Sequence, residues 1–173
     1  MSSSSSFSSA PSVNKKSSSI KRILSEAREM CSDASTEYTA APLEDNLFEW
    51  HFTLRGARGT EFEQGIYHGR IILPVEYPFR PPSVILLTPN GRWETGKKIC
   101  LTFTGFHEEC WAPAWGIRTA LLGVQAFMNA KKEAAVGVGA LDVDGQERER
   151  MAKASRDWTC HVCAKKNAEL LPE

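Results

Sequence analysis

From Phe48 to Arg55 the chain reads Phe-Glu-Trp-His-Phe-Thr-Leu-Arg, apolar at every even position and polar at every odd one. Period-two alternation over eight residues predicts a half-buried antiparallel strand with its polar face toward solvent. Ile66 to Leu73, stopped by Pro74, predicts another strand, and the apolar run Val84–Leu87 between proline-rich segments a more buried one. A weaker strand around Thr36–Ala41 makes four, and the short connections imply an antiparallel meander. Before the strands the period changes. Ile20, Ile23, Leu24, Ala27, Met30 and Cys31 share one helical face, with Ser18 or Ser19 as the cap and an end near Asp33. After them, Ile117, Ala120, Leu121, Leu122, Val124, Phe127 and Met128 predict a buried helix from Trp115. Met151, Ala154 and Trp158 predict a charged last helix from Gln146. Helix, strands, helices is an α+β order rather than a parallel α/β one.

Three stretches carry no period. Eleven of the first 19 residues are serine, which cannot bury enough area to offset ordering entropy, so residues 1–17 read as a disordered tail. Ala134–Gly145 reads as a linker. Thr88 to Pro113 is long for a loop in a compact domain, and long ordered loops are more often functional than connective. At 173 residues the chain is one domain of ordinary composition. Lys plus Arg and Asp plus Glu balance at 21 each, which argues against a nucleic-acid partner. No run of 18 apolar residues predicts a membrane span, and the serine-rich start is unlike a signal peptide. Five scattered cysteines then read as free thiols in a reducing compartment.

Several motifs fail on inspection. Gly91 to Lys98 nearly fits a phosphate-binding loop, but Lys98 lacks the required hydroxyl and the following residues look extended. Asp142-Val-Asp144-Gly145 resembles a calcium loop whose first and twelfth positions, Ala140 and Met151, offer no oxygen. Cys160-His161-Val162-Cys163 is half of a zinc spacing, readable as a shared metal site or a redox pair. Cys31 and Cys110 have no matching partner, so no metal is expected. Cys100 is different: it lies in the unpatterned loop beside Lys97 and Lys98, and cations favour the nucleophilic thiolate. His107 could serve it as a base in a thiol hydrolase. Local chemistry stops at a candidate nucleophile.

Four segments in order carry more. They are Glu49-Trp50; Tyr77-Pro-Phe-Arg-Pro-Pro82; Thr88-Pro89-Asn90 followed ten residues later by Cys100-Leu101; and Trp111-Ala-Pro113 before a buried helix. As a set they resemble the ubiquitin-conjugating enzymes over roughly residues 18–158. Thr88 stands where the family motif has histidine and the loop from Asn90 to Cys100 is longer than usual. Phe106-His107 before Trp111 and the run Pro42–Phe52 also resemble the J-type, endoplasmic-reticulum-associated branch.

The resemblance implies an N-terminal helix, a four-stranded antiparallel meander, a long active-site loop and C-terminal helices, with the catalytic domain over residues 18–160. It implies a thioester between Cys100 and ubiquitin, received from an activating enzyme and passed to a substrate lysine or hydroxyl. No metal or organic cofactor takes part; ATP is used by the activating enzyme. Asn90 would donate to the oxyanion or shape the loop. Thr88, Pro89 and Trp111 belong to the active-site loop, and His107 or Glu108 would stand in for an acidic gate without a match here. A RING-type ligase would dock on Pro78, Phe79, Ala112, Pro113, Lys21 and Arg22. The branch is tail-anchored at the cytosolic face of the endoplasmic reticulum. Residues 161–173, ending Leu170-Leu-Pro-Glu173, are therefore expected to be a tail leading toward an anchor that this chain lacks. The alternative is a catalytically silent variant that binds ubiquitin.

Overall fold

The structure, a computed structural model, describes residues 10–99, 110–128 and 140–173. Helix α1 spans Ala10–Ser32. It begins inside the stretch read as a disordered tail, not at Ser18 or Ser19. The capping preference of Ser18 and Ser19 and the small apolar area of the serine run argued for the later start, but extending an already nucleated helix costs little per residue, and Pro11 falls in the first turn, where proline is tolerated. Its buried face also differs from the expected one: Ile23 and Met30 enter the core while Leu24 and Cys31 are exposed, and Glu26 is buried in their stead.

Four strands follow, β1 (Tyr38–Leu43), β2 (Asn46–Arg55), β3 (Ile66–Ile72) and β4 (Ser83–Leu86), paired in that order as an antiparallel meander. The register sets Trp50 opposite Ile71, Phe52 opposite Gly69 and Leu54 opposite Tyr67. All but Gly69 belong to one apolar cluster with Ile23 and helix α2 (Ile117–Met128). Gly69 is required by close approach, because a Cβ there would lie 2.5 Å from the Phe52 ring.

Helix α2 starts at Ile117 rather than Trp115, and opposite charges hold its two ends. Glu26 Oε1 accepts the Ile117 N–H at 2.8 Å, while its Oε2 accepts from Tyr77 Oη and Arg22. At the other end the buried Arg92 guanidinium donates to the carbonyls of Met128 and Phe127, both at 3.2 Å. An anion at the N-terminus and a cation at the C-terminus complement the helix dipole and satisfy end groups that helical bonding leaves open.

The chain then completes the fold in a way the sequence did not announce. Helix α3 (Gly145–Ser155) is capped by Asp144, whose carboxylate accepts from the Gln146 N–H, so the end of the expected linker is a helix start. Residues 129–139 of that linker lie outside the described residues. Beyond α3, strands β5 (Thr159–Cys160) and β6 (Lys165–Lys166) form a small hairpin, and helix α4 (Asn167–Leu170) follows. The expected tail from residue 161 is therefore folded. Asn167 is fully buried, its amide donating to Ile66 O, Thr88 Oγ1 and Ser155 O, and Leu171 is buried after it. This segment covers the sheet face that the alternation assigned to solvent, burying His51, Thr53 and His68.

Candidate functional site

Beyond β4 the chain leaves the sheet through Thr88-Pro89-Asn90. Thr88 is fully buried, and its Oγ1 accepts the His68 N–H at 2.9 Å and the Asn167 amide at 3.0 Å. The backbone N–H groups of Leu87 and Thr88 both reach His68 O. Asn90 is equally buried and acts within its own turn: Nδ2 donates to Thr88 O at 3.0 Å, and Oδ1 accepts the N–H groups of Arg92 and Trp93, each at 2.8 Å. Side chains that bond backbone two or three residues on define such turns. Gly91, with φ of 78°, adopts the left-handed conformation that follows. Arg148 of α3 supports the turn from below, donating to Gly91 O and Leu141 O and pairing with Glu61.

From Gly96, another left-handed residue, the chain returns alongside β4: Gly96 N–H bonds Leu86 O, Lys98 bridges to Ile85, and Ile99 N–H bonds Val84 O at 2.8 Å. The backbone entering residue 100 is thus fixed at the sheet edge. An open groove lined by Asn90, Trp93, Glu94, Leu141 and Met151 lies beside the turn. Cys100, His107 and Glu108 themselves lie outside the described residues.

The positions implicated in ligase docking do share one end of the fold. Arg22 of α1 donates to Pro113 O at 3.0 Å and Trp115 O at 2.9 Å, joining the helix to the loop before α2. Trp111 is buried, donates from Nε1 to Pro78 O at 2.7 Å, and packs edge-on against Trp115. Pro78 is buried, Ala112 half-buried, and Pro113 and Lys21 exposed. Phe79 is 73% exposed, a projecting apolar side chain at the tip of its loop.

Among the described residues, the one cluster able to hold a metal is elsewhere: His51, His68, Cys160 and Cys163, with all four ligand atoms within 4.8 Å of one another. The missing partners of Cys160 and Cys163 are thus histidines from β2 and β3, not cysteines. Burial holds both imidazoles below their ordinary pKa, His68 at about 4 with His51 adding to the effect. Burial raises the Cys163 thiol to about 11. The sequence carried one overlooked signal for this set, two histidines at outward positions of neighbouring strands.

The sequence profile of the family described as ubiquitin-conjugating enzyme matches residues 22–159. Ubiquitin-conjugating enzyme E2 J1 of Homo sapiens and of Mus musculus is each 52% identical over 91% of this chain and 49% of its own length. Ubiquitin-conjugating enzyme E2 32 of Arabidopsis thaliana is 50% identical over 83% of this chain and 46% of its own length. The chain thus spans about half the length of these curated relatives. A crystal structure from Plasmodium yoelii, assigned to the ubiquitin-conjugating enzymes, superposes with a TM-score of 0.61 at 25% identity, covering 79% of this chain and 91% of that one.

Proposed function

The chain belongs to the ubiquitin-conjugating enzyme family, and on that premise we propose that it carries ubiquitin as a thioester on Cys100 and delivers it, with a ligase, to a substrate amine or hydroxyl. In the first transfer the Cys100 thiolate attacks the thioester carbonyl that joins ubiquitin to the activating enzyme. A new C–S bond forms, the old one breaks, and the activating enzyme's thiolate leaves. In the second, the acceptor attacks the same carbonyl, loses its proton, and displaces the Cys100 thiolate. Sulfur suits both steps, being a competent nucleophile and a good leaving group.

Each transfer passes through a tetrahedral oxyanion, and a rigid surround keeps donors aimed at it. Asn90 acts as a positioning residue: with its amide oxygen and nitrogen bonded inside the turn, it sets the shape of the loop that faces the thioester. The observation carrying this reading is the family match over residues 22–159, a span that includes Cys100, together with the backbone anchored at Ile99 immediately before it. Phe79, Pro113, Lys21 and Arg22 form the ligase-docking end, Phe79 being the anchor that buries on contact. From the J-type resemblance we infer a working place at the cytosolic face of the endoplasmic reticulum, in protein degradation; no described helix is long and apolar enough to cross a membrane.

Charging with activating enzyme, ATP and ubiquitin, read on a non-reducing gel, tests the proposal. Wild type should form a reductant-sensitive adduct, and Cys100→Ser either a reductant-resistant ester or none. A wild-type chain that binds ubiquitin yet never charges would instead be a non-catalytic binding module, and one that only releases free ubiquitin would be a thiol hydrolase.

A further inference from the structure

Two thiols and two imidazoles converge under the C-terminal hairpin, and nothing in thioester chemistry uses them. His51 comes from β2, His68 from β3, and Cys160 and Cys163 from the hairpin about a hundred residues later. In the register His68 faces Thr53 and His51 faces Arg70, so the two histidines are diagonal neighbours on one face. We propose that His51 Nδ1, His68 Nε2, Cys160 Sγ and Cys163 Sγ bind a divalent metal ion of the zinc class as a closed, structural tetrahedral site that fastens the hairpin to the sheet.

The distances match the ion. Tetrahedral zinc, with nitrogen at about 2.05 Å and sulfur at about 2.3 Å, separates a nitrogen from a sulfur ligand by about 3.6 Å. The sulfur–nitrogen separations are 3.7 Å for Cys160 to His51, 3.6 Å for Cys163 to His51 and 3.5 Å for Cys163 to His68. The two nitrogens are 3.0 Å apart, against about 3.3 Å around such an ion, a small opening of the pair. A disulfide between the cysteines would account for the sulfurs but not for two imidazole nitrogens aimed at the same point.

The surroundings fit a structural site. His68 Nδ1 lies 3.0 Å from Thr53 Oγ1, a partner that fixes the ring while Nε2 faces the cluster. Mixed thiolate and imidazole ligands select zinc over magnesium or calcium, and four protein ligands leave no open position for catalysis. Binding displaces the thiol protons, and two thiolates with two neutral imidazoles cancel the ion's charge, so the complex can be buried without a net charge. The turn is built to point both sulfurs one way. Ala164 N–H bonds Cys160 O at 2.7 Å, and Ala164 takes the left-handed φ of 58° that a non-glycine residue seldom adopts. Two strands of two residues each are too short to hold by pairing alone.

The test uses the full chain, purified without chelator, with elemental analysis for zinc and with cobalt as an optical probe. One zinc per chain is expected, exchangeable for cobalt that shows the intense d–d bands and sulfur-to-metal charge transfer of a tetrahedral thiolate site. Cys160→Ser and Cys163→Ser should each lower occupancy below about a tenth. Cys31→Ser with Cys110→Ser should leave it unchanged. Thr53→Val, outside the ligand set, should weaken affinity about tenfold. Substoichiometric zinc after incubation with excess zinc, a cobalt spectrum of octahedral oxygen ligation, or a Cys160–Cys163 disulfide in the reduced cytosolic state would overturn the proposal. The wild-type cobalt spectrum decides even where a cysteine variant fails to fold, and none of these readouts depends on thioester charging.

Discussion

On the inward face of the sheet, Trp50, Phe52 and Leu54 of β2 meet Ile71 and Tyr67 of β3, and all are at most 1% exposed. On the outward face of the same two strands, His51, Thr53 and His68 are 8%, 1% and 1% exposed, so water is kept out there almost as well. The inward face does this with hydrocarbon and aromatic area, a non-directional attraction that any well-fitting apolar side chain can supply. The outward face does it with polar atoms, each needing a particular partner at a particular distance, several of them supplied by a segment a hundred residues away. One face is robust in chemistry and local in sequence; the other is exacting in chemistry and depends on the C-terminal segment being in place.

The inward face supplies the largest expected effect. Phe52→Ala removes a fully buried ring and leaves a gap beside Gly69, which should cost about 4 kcal/mol of unfolding free energy. The comparison predicts the same loss in metal-loaded and chelator-treated protein. A loss that differed between the two would show the faces to be one energetic unit. Next comes metal removal. If the ion binds only the folded chain, chelation lowers stability by about 2.7 kcal/mol where free metal had stood a hundredfold above Kd. Thermal unfolding of wild type should shift with chelator, and that of Cys160→Ser should not. Limited proteolysis should then cut first in the C-terminal hairpin.

The same contrast explains what could be read from the sequence. Trp50, Phe52 and Leu54 announced their face because hydrophobic alternation is a local signal, and the meander followed from short connections. Thr88-Pro-Asn90 and Cys100 were legible as a family motif, though the bonds from Asn90 to its own turn belong to folded geometry. The outward face was misread as solvated because alternation shows which face is polar, not whether something covers it. Cys160 and Cys163 looked incomplete because their partners are histidines distant in sequence, brought close only by strand register. Glu26 was hidden in the same way: a carboxylate on an otherwise apolar helix face makes sense only once Ile117 and Tyr77 arrive. Gly116 is part of that arrangement, since a Cβ there would lie 2.1 Å from Glu26 Oε1.

The junction between the outward face and the Thr88–Asn90 turn offers a finer test. Thr88→Val keeps the shape of the side chain but removes the acceptor for the buried His68 N–H and for Asn167. Asn167 retains Ile66 O and Ser155 O, so the unpaired His68 N–H dominates, at a cost of about 1 kcal/mol. Both unfolding stability and the rate of thioester charging should fall, because the turn and the histidine share this contact. Unchanged charging would separate the outward face from the loop it borders.

The smallest effect should come from the outer margin of the same face, where Glu49 pairs with Arg70 beside His51. The side chains there are 19% and 37% exposed, so water and salt screen the attraction, and holding two long side chains offsets much of what remains. Glu49→Gln retains a hydrogen-bonding side chain and should change stability by only about 0.5 kcal/mol, with the difference shrinking as salt is raised. The pair lies against the proposed metal site without belonging to it, so zinc content should stay at one per chain. A Glu49→Gln protein that lost its zinc would extend the exacting chemistry of the outward face to its exposed rim, and the boundary drawn between His51 and Glu49 would have to move.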